Sequence, residues 1–305
     1  MSTIKISALI PTYNRSDLLP KAIESLLHQS LDRSLYEIIV IDNASTDATK
    51  DICNRYLYEQ NFRYIYESKQ GLNISRVTGA REAKGKYIAY IDDDAVASSV
   101  WLEKILYGFE CVTPTPGSVG GKIDPIWEIP KPVWFPDYKG PYLTILNYGD
   151  QPQFITYPKI LFGTNMAFEK ELIFKFDTFR VDLDRQKRKL LGGGDSWAFK
   201  VFADNAVPVY YFPEAVVHHL VPKERATKKW LYKRHYWQGR TEVMLLSESS
   251  EGLDRMRELR NAFKMIGTHA HRLLHAQKPD EKFAHAAILK QQLGRIVQVL
   301  STTKG

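Results

Sequence analysis

The sequence predicts an α/β fold, a mainly parallel sheet flanked by helices, with a helical extension at the C-terminus. Three observations point there. Short β-branched runs alternate with helix-length stretches through residues 1–120, the signature of βαβ units. Polar residues stand where the apolar runs end, at the carboxyl edge where parallel sheets bind ligands. Beyond residue 220 helical periodicity takes over.

Taken in order, Ile4 to Ile10 reads as a strand and Ser16 to His28 as a helix with Leu18, Leu19, Ala22, Ile23, Leu26 and Leu27 on one face. Ile38 to Ile41 is a β-branched run suited to a strand buried on both faces. Asp47 to Tyr58 is expected to be helical, Phe62 to Tyr66 a strand, Asn73 to Lys84 a helix, Tyr87 to Ile91 a strand and Ser99 to Val112 a helix. Between Ile123 and Leu161 seven prolines interleave with Trp127, Trp134, Phe135, Tyr138, Tyr142 and Tyr148. Proline at that density excludes long helices, and the aromatics argue for an ordered loop layer. Gly192-Gly193-Gly194-Asp195 introduces a helix over Ser196 to Ala203, and Val207 to Phe212 and Ala215 to Val217 read as two short strands, the second ending in His218-His219. The C-terminal region is expected to be helical, with a stripe of Met256, Leu259, Phe263, Ile266, Ala270, Leu273 and Leu274, then a break at Pro279 and a second stripe. Such stripes suit a packed hairpin or a membrane-surface element.

The chain has 305 residues, 44% of them hydrophobic and 25% charged, enough for one large domain with an appendage or two smaller ones. Cys53 and Cys111 stand far apart, without metal-type spacing and without a disulfide framework. The N-terminus lacks a signal-peptide core and no stretch reaches membrane-span length, so a cytoplasmic location is expected. The net charge of +7 is unevenly placed: residues 220–305 carry 17 Lys and Arg against 8 Asp and Glu, and the remainder is slightly acidic. A basic C-terminal region favours an anionic partner, and peripheral attachment at the inner membrane face is the expected form.

The most informative motif is Asp92-Asp93-Asp94, three carboxylates ending the Tyr87–Ile91 strand. Clustered carboxylates repel one another unless a cation joins them, and aspartate oxygens suit Mg²⁺ or Mn²⁺. The plain alternative is an acidic turn capping the next helix. For Asp195 the plain alternative is likewise a helix N-cap, and for the histidine pair a buried or capping role.

Six segments in order resemble the family 2 glycosyltransferases of the GT-A fold: ALIPTYNR at 8–15, IIVIDNASTDAT at 38–49, GLNISRVTGAREAKGKYIAYIDDDA at 71–95, FGTNMAF at 162–168, GGGDSWAF at 192–199 and YWQGR at 236–240. The resemblance implies a nucleotide-sugar enzyme using Mn²⁺ or Mg²⁺. It implies a donor pocket of Pro11, Thr12, Tyr13, Asp42 and Arg76, with Asp42 on the base. Asp94 is implied as metal ligand, with Asp92 or Asp93 on the ribose, and His219 as a further metal ligand with His218 the alternative. Asp195 matches the catalytic base. Val77 stands where the family usually has Asn, and Gly194 where it commonly has Glu. Trp134, Gly163 and Asn165 are expected on the acceptor side. The implied division is a catalytic domain at 1–219, its donor half at 1–120 and its acceptor half at 121–219, followed by a basic helical region at 220–305.

The function so implied is inverting transfer of a sugar, from a UDP-sugar, to a hydroxyl of a saccharide or lipid-linked acceptor. A sugar nucleotidyltransferase would need a glycine-rich basic loop after the first strand, and PTYNRSD has no glycine. An inert nucleotide- or membrane-binding module is the other alternative, and the presence of Asp94 and Asp195 weighs against it. Nucleic acid is not expected as a partner, because no recognised module surrounds the basic segment.

Overall fold

The computed structural model describes residues 4–136, 141–180, 193–247 and 253–301. Its contacts divide the chain into two units: Met1–Ile126 with Thr144–Asp184 and Gly194–Leu220, and Trp127–Leu143 with Arg185–Gly193 and Val221–Gly305.

The first unit is built on a mixed sheet. Its strands are β1 Ile6–Thr12, β2 Tyr36–Asp42, β3 Phe62–Tyr66, β4 Tyr87–Tyr90, β5 Ala95–Ala97, β6 Ser118–Trp127, β7 Gln153–Ile155, β8 Met166–Glu169 and β9 Val209–Val221. They run in the order β3-β2-β1-β4-β8-β6-β9-β5, with β7 also on β9. The first four are parallel; β8 pairs antiparallel with β4 and β6, and β9 with β5 and β7. Every residue of β1 and β2 is buried, as expected of central strands covered on both faces.

Helices α1 Leu19–Leu27, α2 Thr49–Asn54, α3 Leu72–Glu82, α4 Trp101–Cys111, α5 Lys170–Lys175 and α6 Gly194–Asp204 complete this unit. The first buries Leu19, Ala22, Ile23, Leu26 and Leu27, the stripe its sequence marks. Helix α2 starts later than expected because Asp47 stays in the loop, accepting from Ser16 N at 3.0 Å and from Thr49 N and Oγ1 at 3.1 and 2.5 Å, and it ends at Asn54 rather than Tyr58. The two strands expected around Pro213 are one continuous β9. Gly121 of β6 makes this possible: a Cβ there would lie 2.4 Å from the Phe212 carbonyl oxygen and 2.1 Å from that of Ala215.

The second unit contains α7 Lys228–Ser247, α8 Arg255–His275 and α9 Pro279–Ser301. Pro279 opens α9 rather than merely breaking the chain, a position where its missing N–H costs nothing. Helices α7 and α9 approach through glycines: a Cβ on Gly239 would sit 2.0 Å from the Gln291 oxygen, and one on Gly294 1.9 Å from the Tyr236 oxygen. Arg295 ties the three helices together, donating to Glu242 of α7 and Glu258 of α8. Phe283 is buried between Tyr232 and Trp134, at ring-centroid distances of 5.2 and 4.9 Å.

Candidate active site

The site grows from the carboxyl ends of β1, β2 and β4, where the polar residues that follow the apolar runs come together. The loops after β1 and β2 are stitched to each other. Asn14 N donates to Ser45 Oγ at 2.9 Å, and Thr46 N donates to Asn14 Oδ1 at 2.7 Å. Asn14 and Ala44 both take positive φ, 51° and 61°, a conformation Asn tolerates better than Ala. Pro11 and Thr12 are buried at the strand end, and Tyr13 projects into solvent. Asp42 is buried and accepts from Ser45 N at 2.9 Å and the Tyr64 hydroxyl at 2.7 Å.

The three aspartates separate by partner. Asp92 accepts a short hydrogen bond from Thr164 Oγ1. Asp93 accepts from Thr12 Oγ1 at 2.7 Å; burial and the neighbouring Asp94 charge push its carboxyl up to about 7. Asp94 faces His219 Nε2 at 3.3 Å and Arg15 Nη1 at 3.5 Å. Pairing of β5 with β9 sets this contact: Ala95 is opposite His219, and Leu220 N donates to the Asp94 carbonyl at 2.9 Å. His218 is the next residue along the strand, opposite Val96, and strand alternation sends it to the other face. Asp92, Asp94 and His219 each offer a ligand atom, all within 4.8 Å of one another. Two carboxylates and an imidazole suit Mn²⁺ or Mg²⁺, and the buried Nδ1 of His219 has no hydrogen-bond partner among the described residues. The residues present therefore fit a divalent ion, and Asp92 groups with the ligands.

Asp195 lies in the first turn of α6, its side chain 26% exposed. One oxygen accepts from Arg76 Nη1 at 2.9 Å and the other from Gly163 N at 2.9 Å. Arg76, expected in the donor pocket, is 3% exposed and bonds both Asp195 and Asn73 Oδ1, the latter at 3.3 Å. Its Nε has no hydrogen-bond partner among the described residues, and its guanidinium lies 5.3 Å from the Phe179 ring centre. Burial opposes the Arg76 charge, but Asp195 and Asp92 outweigh it and raise the pKa. Gly163 makes room for this pairing, since a Cβ there would fall 1.9 Å from Arg76 Nη2. Gly194 likewise leaves room for Asn73, whose amide nitrogen would be 3.0 Å from an added Cβ. Val77 packs against the apolar cluster under α3, which accounts for an apolar residue there.

Of the residues expected on the acceptor side, Asn165 is taken up by the scaffold. Asn165 is fully buried, accepting from Trp101 Nε1 at 2.8 Å and donating to the carbonyls of Lys122 and Ala215 at 2.9 and 2.8 Å; its amide is occupied by the scaffold and leaves nothing to offer an acceptor. Trp134 belongs to the second unit, against Phe283 and 5.5 Å from Lys228 Nζ. Gly163 does stand at the site, through its backbone N–H. Sequence reasoning missed Arg15, Tyr64, Asn73 and Thr164. Arg15 and Thr164 lie inside PTYNR and FGTN, so the motifs flagged their segments without assigning their roles.

Residues 7–168 match the model of the family described as glycosyl transferase family 2. A glucosyl-dolichyl phosphate glucuronosyltransferase of Haloferax volcanii is 24% identical over 241 residues, covering 77% of this chain and 75% of that protein. A poly(ribitol-phosphate) beta-glucosyltransferase of Bacillus spizizenii is 36% identical over 103 residues, but the match spans only 32% of this chain and 16% of that protein. Among solved structures, the mannosyltransferase PcManGT from Pyrobaculum calidifontis, in complex with GDP-Man and Mn²⁺, superposes with a TM-score of 0.62 at 16% identity, covering 97% of this chain and 87% of that one. TarS 1–349 from S. aureus in complex with UDP gives 0.56 at 14% identity, covering 95% and 89%. These likenesses place the fold among GT-A transferases. The chain belongs to glycosyl transferase family 2, and it is a glycosyltransferase.

Proposed function

We propose that the protein is an inverting transferase that moves the sugar of a UDP-sugar onto a hydroxyl of a lipid-linked or other saccharide acceptor, with a divalent metal at the donor diphosphate. One observation carries this reading: consecutive residues hold the two halves of the chemistry. Gly163 N donates to Asp195, and Thr164 Oγ1 donates to Asp92. A carboxylate able to take a proton and a carboxylate of the candidate metal cluster are thus fixed by one short segment.

In this reading Pro11, Thr12, Tyr13 and Asp42 line the nucleoside pocket, and Asp93 faces the ribose. Asp92, Asp94 and His219 would hold Mn²⁺ or Mg²⁺, which supplies positive charge to the departing diphosphate. Asp195 accepts the acceptor hydroxyl proton as that oxygen forms its bond to the anomeric carbon. The bond from that carbon to the diphosphate oxygen breaks, and its electron pair leaves with the nucleotide. Arg76 and Gly163 N fix the carboxylate while its remaining lone pairs stay available to the acceptor. A single base suits single displacement, hence inversion. Residues 1–120 are the donor half and 121–219 the acceptor half, with 220–305 a basic helical appendage. The lipid-linked acceptor is supported by the name of the Haloferax relative, and the UDP donor by the UDP complex of TarS.

The test is a panel of UDP- and GDP-sugars, with Mn²⁺, Mg²⁺ or chelator, read by thermal shift and nucleotide release. A UDP-sugar should stabilise the protein only with metal. Asp195→Asn should keep that stabilisation and lose release by about 10²-fold or more. Stabilisation without metal, or unimpaired release by the variant, would overturn the assignment.

A further inference from the structure

Helix α8 has three distinct faces. The first, Glu258, Ala262 and His269, is buried, and Glu258 is paired with Arg295 of α9. On the opposite side Met256, Phe263 and Leu274 are 59%, 61% and 83% exposed, and a Cβ on Gly267 would meet nothing within 4 Å among the described residues. Spacings of seven, four and seven residues align these four positions along one side of the helix over about 27 Å. Arg257, Arg260, Lys264 and His271 are exposed beside that stripe. Glu258 is the one acidic residue of α8, and it is buried and neutralised, so the outward surface of the helix is apolar and cationic.

We propose that this face of α8 docks the protein on an anionic lipid surface, lying in the membrane plane. Scattered exposed apolar residues are ordinary, but a continuous stripe with a one-sided cationic border is the pattern of an interfacial helix. Charge complementarity selects the occupant. A second copy of this helix would bring like charges together, whereas acidic headgroups meet the arginines while Phe263 and Leu274 enter the acyl boundary. No described helix is long and apolar enough to cross a membrane. Attachment through cations and headgroups is reversible and salt-sensitive. The docking does not depend on which sugar or acceptor the first unit uses.

The full chain should co-sediment with phosphatidylcholine vesicles that contain phosphatidylglycerol, and not with phosphatidylcholine alone. High salt should release it. Arg260→Gln with Lys264→Gln should weaken partitioning about 25-fold, taking about fivefold per cation at the surface. Phe263→Ser with Leu274→Ser should weaken it at least tenfold while leaving metal-dependent nucleotide release in solution unchanged, which separates this failure from failure of the catalytic assignment. Circular dichroism should show both variants folded, because all four side chains are exposed. The proposal is overturned if the wild type stays in the supernatant at low salt. It is equally overturned if the apolar variant binds like the wild type, or if that variant converts a dimer to a monomer, which would make the stripe a protein interface.

Discussion

Arg76 offers the sharpest test of how the site works, because two roles for it predict different arithmetic. If the guanidinium serves the donor, its loss and the loss of Asp195 act on different steps and their effects multiply. If it positions Asp195, the two losses overlap. The geometry favours overlap: Arg76 is 3% exposed, 2.9 Å from the Asp195 carboxylate and backed by Asn73. Arg76→Met removes the charge and the two bonds while filling similar space. Among the described residues Asp195 then keeps the Gly163 N–H, and it is 26% exposed, so water recovers part of the loss. The stability cost should then fall near 1–3 kcal/mol, below that of breaking a fully buried pair. A base swung from its productive direction should lower nucleotide release by about 10²-fold. In an Asp195→Asn background the same substitution should change release by no more than about threefold, a coupling near 2 kcal/mol. Steady-state release by the four proteins, at saturating metal, gives the cycle. Multiplicative losses would refute the positioning role and return Arg76 to the donor.

Asp94→Asn and His219→Gln should each abolish the Mn²⁺-induced rise in melting temperature while preserving circular dichroism; a full rise in both would remove the triad as the metal site. Burial pushes the His235 imidazole from its ordinary 6.5 down to about 4. Below pH 6.5 the unfolded chain therefore binds the proton first, so stability is complete above that pH and falls toward pH 4, by about 2 kcal/mol near pH 5. Urea melts should show this fall and His235→Gln should flatten it, His269 supplying a residual slope of the same sign; an unchanged slope in the variant would refute the attribution. Gly294→Ala should destabilise the helical unit by at least about 2 kcal/mol through collision with the Tyr236 carbonyl. Gly267→Ala, facing open space, should stabilise by about 0.5–1 kcal/mol; equal melting shifts in the two would contradict the close helix packing.

Much of this architecture is legible because its determinants are local. Alternating β-branched runs and apolar stripes locate β1 to β4 and their helices to within a few residues, and Asp42 and Asp92 to Asp94 mark the strand ends. What escapes depends on distant partners. The Arg76–Asp195 pair joins residues 119 apart, and Thr164 reaches Asp92 across 72; no periodicity encodes either contact. Choosing His219 over His218 needs the register of β5 on β9, since one residue of slip reverses which histidine faces Asp94. Pro213 suggests a strand break only until Gly121 is seen opposite. In α8 the apolar residues are legible as a helical set, but the sequence does not say that Ala262 and His269 pack while Phe263 and Leu274 face water.

The acidic turn after β4 can also be weighed against its plainest alternative, the capping of a helix. Helix α4 begins at Trp101, several residues beyond Asp94, and its N-cap Val100 makes no side-chain cap bond. Capping therefore does not account for the three carboxylates. Elsewhere in the site Asp195 is answered by an opposite charge, Arg76, together with Gly163 N. At the end of β4 the partners include two threonine hydroxyls, one histidine and one partly exposed arginine. Hydroxyls orient a carboxylate without neutralising it, the Arg15 contact at 3.5 Å is weak, and the Arg76 charge that acts on Asp92 is already paired with Asp195. The strands nevertheless fix these carboxylates on rigid backbone. Such convergence costs stability unless a cation completes it, and two aspartates with an imidazole on one side of that turn form the arrangement that could hold one.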